Sequence, residues 1–231
     1  MSSCSWLHEQ LQQLPLARFP FELQDLPENG IYFFYEHGEQ NNHDNTRRVV
    51  RVGTARQGNF CSRIKEHFLL DERKMGFNAQ QPAPKERSVF RKNIGRALLN
   101  REKDAYLKTW EIDFTTRDNR DRFAKLRDIQ KEKTVEREVT RLLRSNFSFR
   151  YIVYDDERKR MGADSLEAAL IATLAQCNDC VPSKNWLGLH SPKPEIRESG
   201  LWLSQHLNAC VLGAEQKQVV LQAVKQTLAS D

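Results

Sequence analysis

Six residues of this 231-residue chain have side chains that could act together on a charged ester: Tyr32, Arg51, Arg63, His67, Glu167 and Asn185. A tyrosine hydroxyl can pass a proton to or from an attacking water. Guanidinium groups grip tetrahedral oxyanions, often through two parallel hydrogen bonds. An imidazole can orient a nucleophile or donate to an anionic oxygen. One carboxylate is enough to hold a hard divalent cation, because such an ion keeps several waters and takes its other ligands from the substrate. An amide can position any of these groups. Together they supply what hydrolysis of a phosphodiester requires. Each also has an ordinary structural reading, and the case rests on their order and on the elements that carry them.

Gly30-Ile31-Tyr32-Phe33-Phe34-Tyr35 is aromatic and β-prone, which predicts a strand over 30–36. Alternation places Tyr32 and Phe34 on one face, and Ile31, Phe33 and Tyr35 on the other. Arg48 to Thr54 is a second β-branched run carrying Arg51 and Gly53, and the two strands read as a hairpin across a polar loop. A helix over about 59–70 places Arg63 and His67, four residues apart, on one face. A third strand is expected at 147–154. The helix at 165–176 carries Glu167 in its first turn, where the helix dipole favours an ionised carboxylate. Asn185 follows in Pro182-Ser183-Lys184-Asn185-Trp186. Further helices are expected at 5–14, 88–101, 104–110, within 118–145 and at 214–228. Residues 71–87 read as an exposed loop.

This ordered set resembles the GIY-YIG nuclease family: Gly30-Ile31-Tyr32 on one strand, Val52-Gly53 on the next, then Arg63, His67, Glu167 and Asn185. The likeness runs over residues 29–187. It implies Tyr32 as general base or proton relay, Arg63 on the scissile phosphate, Glu167 as the protein ligand of Mg²⁺ (or Mn²⁺), and His67 and Asn185 in support. Two departures stand out. Arg51 occupies the place of the second motif's tyrosine, and arginine cannot shuttle a proton, so its expected role is phosphate binding. The stretch 71–146 is an insert. The fold class implied is mixed α/β, a small three-stranded, mainly antiparallel sheet flanked by helices. The domains are an N-terminal helix and connector at 1–28, a nuclease domain with its insert at 29–187 and a helical tail at 188–231. The expected substrate is DNA. Members with extra helices suggest a restriction or defence setting. The alternatives are a binding module with a decayed catalytic set, and a subunit controlled by a protein partner. Cutting two strands with one centre calls for a homodimer or two successive events.

Composition agrees without deciding. A net charge of +5 suits a polyanionic partner. No apolar run approaches a membrane span and no secretory leader is evident, so a cytoplasmic location is expected. A basic stretch around the insert's first helix offers Ser88, Arg91, Lys92 and Asn93 as contacts to a DNA backbone. Cys177 and Cys180 have zinc-ligand spacing, but no second pair lies near in sequence and His190 alone is insufficient, so incidental thiols are the preferred reading. Glu157-Arg158-Lys159 sits in a turn and carries no catalytic assignment.

Overall fold

The structure, a computed structural model, describes residues 2–230. The element order is α1 (Ser3–Gln12), β1 (Ala17–Arg18), β2 (Gly30–Gln40), β3 (Arg47–Thr54), α2 (Phe60–Phe68), α3 (Val89–Arg101), α4 (Leu107–Trp110), α5 (Arg117–Arg122), α6 (Ile129–Asn146), β4 (Phe147–Val153), α7 (Glu157–Arg160), α8 (Leu166–Ala175), α9 (Pro194–Ser199) and α10 (Ala214–Ser230), with short 3₁₀ turns between. The fold class is mixed α/β as expected, with one correction. The antiparallel sheet has four strands among the described residues, ordered β1-β4-β2-β3. The added strand is two residues long: Ala17 and Arg18 pair with Phe149 and Ser148. A two-residue strand inside a Pro-containing connector has no periodicity to betray it.

The alternation in β2 sorts the core into two layers. Ile31, Phe33 and Tyr35 pack with Val49, Val52 and Ile152 against α1, α8 and α10. Tyr32 and Phe34 pack with Val50, Phe147 and Phe149 against α2, α3 and α6. The sheet is thus covered by helices on both faces, and α1 and α10 bury their side chains in the same core as the strands. Register shifts after Phe34, so that Val50 is left between the pairs Phe34–Arg51 and Tyr35–Val49. This bulge re-aims β3. It lets Val50 enter the Tyr32 layer while Arg51 also faces that side.

The stretch 71–87 differs from the exposed loop expected. It contains two 3₁₀ turns and buries Phe77, Ala83, Pro84 and Lys85. Apolar residues spaced this sparsely carry no periodic signal, yet they seal the insert against α6. Among the described residues, no helix is long and apolar enough to cross a membrane.

Candidate active site

Tyr32 and Gly53 are direct partners across the β2–β3 ladder. Position 53 has no room for a side chain: an added Cβ would lie 2.4 Å from the Tyr32 hydroxyl oxygen and 2.5 Å from its Cζ. The tyrosine ring therefore lies flat across the glycine and delivers its hydroxyl beyond β3. Gly30, at the head of β2, is needed for a similar reason, since a Cβ there would stand 2.4 Å from the Ile152 carbonyl oxygen. The two glycines explain physically why these strands read Gly-Ile-Tyr and Val-Gly.

The Tyr32 hydroxyl reaches a cavity of about 310 Å³ lined also by Arg51, Arg63, His67 and Glu167. Five of the six residues singled out by chemistry thus meet in one place, contributed by β2, β3, α2 and α8. The hydroxyl lies 2.9 Å from Nε2 of His67. Nδ1 of His67 lies 2.8 Å from the Ser88 hydroxyl oxygen. Ser88 caps α3 by accepting the backbone N–H of Arg91 at 3.2 Å. Its own proton then needs an acceptor in a wholly buried spot, and Nδ1 is the one within reach. The ring must accept at Nδ1, so it carries its proton on Nε2 and donates to the Tyr32 oxygen. Burial, reinforced by Arg51, Arg63 and Arg91, holds the His67 pKa well below its usual value and keeps the ring neutral. Burial raises the Tyr32 pKa, while Arg51 and Arg63 pull it back down.

Arg51 lies over the Phe90 ring at 4.9 Å and donates to the Trp202 carbonyl at 2.6 Å. Its buried Nε has no protein acceptor. A guanidinium held this firmly on the cavity wall keeps a fixed positive charge beside the space where an anion would sit. Arg63 is more loosely held. It donates to the Arg87 carbonyl at 3.0 Å, lies 3.5 Å from Glu66, and leaves 39% of its side chain exposed. Glu167 occupies the first turn of α8 below the Ser165 cap. Burial raises its pKa, opposed by Arg51, the Thr54 amide, Arg160 and Arg63.

A family model described as the GIY-YIG domain matches residues 7–229. The chain belongs to the GIY-YIG family. No curated protein and no solved structure gave a match. Membership implies a nuclease fold and a divalent cation, and the residues present fit such an ion. Glu167 offers hard oxygen ligands on the wall of a cavity roomy enough for a hydrated cation and a phosphate, with two arginines beside it to favour an anionic site.

The remaining assignments fare differently. Asn185 is exposed and borders another groove, with Glu36, Glu39 and Trp186. The Trp186 indole donates to Glu36 at 2.8 Å and ties this segment to β2 four residues beyond Tyr32. Ser88, Arg91 and Asn93, read as contacts to a DNA backbone, are wholly buried. Arg91 pairs with the buried Glu136 (Nε–Oε2 3.0 Å) and donates to the His67 carbonyl at 3.0 Å. Asn93 reaches the Trp202 carbonyl. Lys92 keeps only 13% of its side chain exposed. Ser88 and Arg91 therefore hold His67 in place, while Lys92 and Asn93 are tied to the Glu111 and Trp202 carbonyls rather than free on a surface. Lys193, Ser204, Gln205 and His206 complete the cavity from the tail. Lys193 precedes α9 and the other three follow the Leu201-Trp202-Leu203 run, and neither place carries a motif that signals a site.

Proposed function

We propose that this protein is an endonuclease that hydrolyses DNA phosphodiester bonds with Mg²⁺ or Mn²⁺, in a restriction or defence setting. The observation that carries the reading is the convergence of Tyr32, Arg51, Arg63, His67 and Glu167 on one cavity. Arg63, half-exposed at the mouth, meets the scissile phosphate. Arg51, fixed on Phe90, holds a second oxygen and favours ionisation of Tyr32. His67, neutral and donating through Nε2, stabilises the phenolate that then takes the proton of the attacking water. A divalent cation held at Glu167 would neutralise charge growing on the phosphate oxygens. A depression sharing Thr54 and Arg63 with the cavity continues past Arg56 and Arg87, and supports a path for the sugar–phosphate backbone. The defence setting is drawn from the family resemblance alone, by analogy with members that carry extra helices.

The test is nicking of supercoiled plasmid by the full chain, with Mg²⁺, with Mn²⁺ and with chelator. Wild type is expected to nick only with metal. Glu167→Ala and Tyr32→Phe are expected to bind duplex DNA but fail to cut it. A wild-type chain that binds duplex and cuts with neither metal would return the decayed binding module as the reading.

A further inference from the structure

We propose a second metal centre, a structural zinc site made of Cys4, His43, Cys177 and Cys180. Their ligand atoms all lie within 4.8 Å of one another. The Sγ atoms of Cys4 and Cys180 are 3.3 Å apart, and Nε2 of His43 is 3.2 Å from Sγ of Cys177. A tetrahedral zinc ion, with Zn–S about 2.3 Å and Zn–N about 2.0 Å, sets its ligand atoms roughly 3.5–3.8 Å apart. The cluster brackets that spacing, whereas a disulfide would need sulfurs at about 2.05 Å. All five cysteines are free, and Cys61 and Cys210 stand apart from the cluster.

The surroundings are those of a metal site. Nδ1 of His43 lies 3.5 Å from the Asp179 carboxylate, a neighbour that favours a proton on Nδ1 and leaves Nε2 to the metal. The His43 amide donates to the Asn41 side chain at 2.9 Å, and the Asn42 amide donates to the Asp179 carbonyl at 2.8 Å. The first bond shapes the β2–β3 loop, and the second ties it to the turn that carries Cys177 and Cys180. Three thiols and one imidazole favour zinc over the hard cation that suits Glu167. Binding exchanges the three thiol protons for the ion and leaves the centre with one negative charge.

The ligands come from three distant parts of the chain: α1, the β2–β3 loop and the turn after α8. Because Glu167 opens α8 and Cys177 follows its end, the ion would anchor the far end of the helix that carries Glu167. The role inferred is structural, not catalytic.

The test is metal content of the full chain, purified with reductant and without added metal. About one zinc per chain is expected to survive gel filtration. Replacing it with Co²⁺ is expected to give the thiolate charge-transfer and strong visible bands of a tetrahedral site. Cys177→Ser and His43→Ala are expected to lose zinc, whereas Glu167→Ala and Cys210→Ser retain it. Chelation of wild type should lower Tm. The proposal is overturned if the reduced wild type takes up no zinc or cobalt on reconstitution. It is equally overturned if His43→Ala and Cys177→Ser bind zinc at the wild-type ratio, or if intact mass shows Cys4 joined to Cys180 by a disulfide. Because the wild-type cobalt spectrum does not depend on variants folding or on cleavage, it separates this site from the proposed catalytic one.

Discussion

Gly53→Ala changes one hydrogen into a methyl group and should disable the tyrosine opposite it. The added Cβ would lie 2.4 Å from the Tyr32 hydroxyl oxygen, 2.5 Å from Cζ and 2.7 Å from Cε2. Non-bonded carbon atoms settle at about 3.5 Å, so the ring must retreat by roughly 1 Å. It has little room to do so. Tyr32 is 1% exposed and boxed by the rings of Phe34, Phe60 and His67. Overpacking of this kind costs about 1–3 kcal/mol of stability. In a chain this long that lowers Tm by about 2–4 °C per kcal/mol. The effect on rate should be larger, because a misplacement of about 1 Å at a reacting group can cost on the order of 100-fold. The assay is single-turnover nicking with enzyme in excess, at a temperature well below both melting points. The causal route is checked in a double-mutant cycle: adding Gly53→Ala to Tyr32→Phe should slow residual cleavage far less than it slows wild type. A Gly53→Ala variant that nicks at the wild-type rate would refute the argument. So would an equal fractional loss in both backgrounds, because Gly53 would then act through something other than the tyrosine hydroxyl.

Three further outcomes follow from the same geometry. Ser88→Ala removes both the cap of α3 and the donor that sets the His67 tautomer; it should lower stability by about 1 kcal/mol, and slow nicking by roughly ten- to a hundredfold, the worth of one hydrogen bond to a developing charge. Ser88→Thr keeps the hydroxyl and should retain both properties, as melting and single-turnover rates would show. Glu36 accepts the indole protons of Trp186 and Trp202, and burial pushes its pKa from 4.5 up to about 7. Between these values the folded chain holds a proton that the unfolded chain has released, so stability declines as pH rises through this window. The full loss, on the order of 3 kcal/mol, is reached above pH 7. Glu36→Gln should therefore gain in Tm relative to wild type between pH 5 and pH 8, and a constant difference would contradict the account. Glu136→Ala strands Arg91 in the interior with both side chains of the pair fully buried; chemical denaturation should show a loss of about 3–5 kcal/mol.

Arg63 and Arg91 show where sequence reasoning succeeds and where it stops. Both are arginines on helices, and the sequence offers both as contacts for a phosphate. Helical periodicity correctly set Arg63 beside His67, because a face is a local property of residues four apart. The fate of a charge is not local. Arg91 turns inward because Glu136, 45 residues later, arrives on α6 with a carboxylate at 3.0 Å. Nothing near Arg91 in sequence announces that partner. The same distinction separates the residues that were legible from those that were not. The three longer strands, the two core faces and the helix bearing Glu167 each follow from patterns shorter than one element, whereas the two-residue β1 does not. The cysteine cluster does not, since Cys4 and His43 reach Cys177 and Cys180 only after the sheet and α8 are assembled. The tail's Lys193 and His206 enter the cavity in the same way. The local–global boundary also explains the one residue in the motif set that falls elsewhere. Order along the chain alone places Asn185 in the motif set, whereas its neighbour Trp186 is held by the Glu36 carboxylate, four residues beyond Tyr32 on β2. A buried indole N–H with a carboxylate acceptor is a stronger constraint than a solvated amide, and so the tryptophan decides which way the asparagine faces.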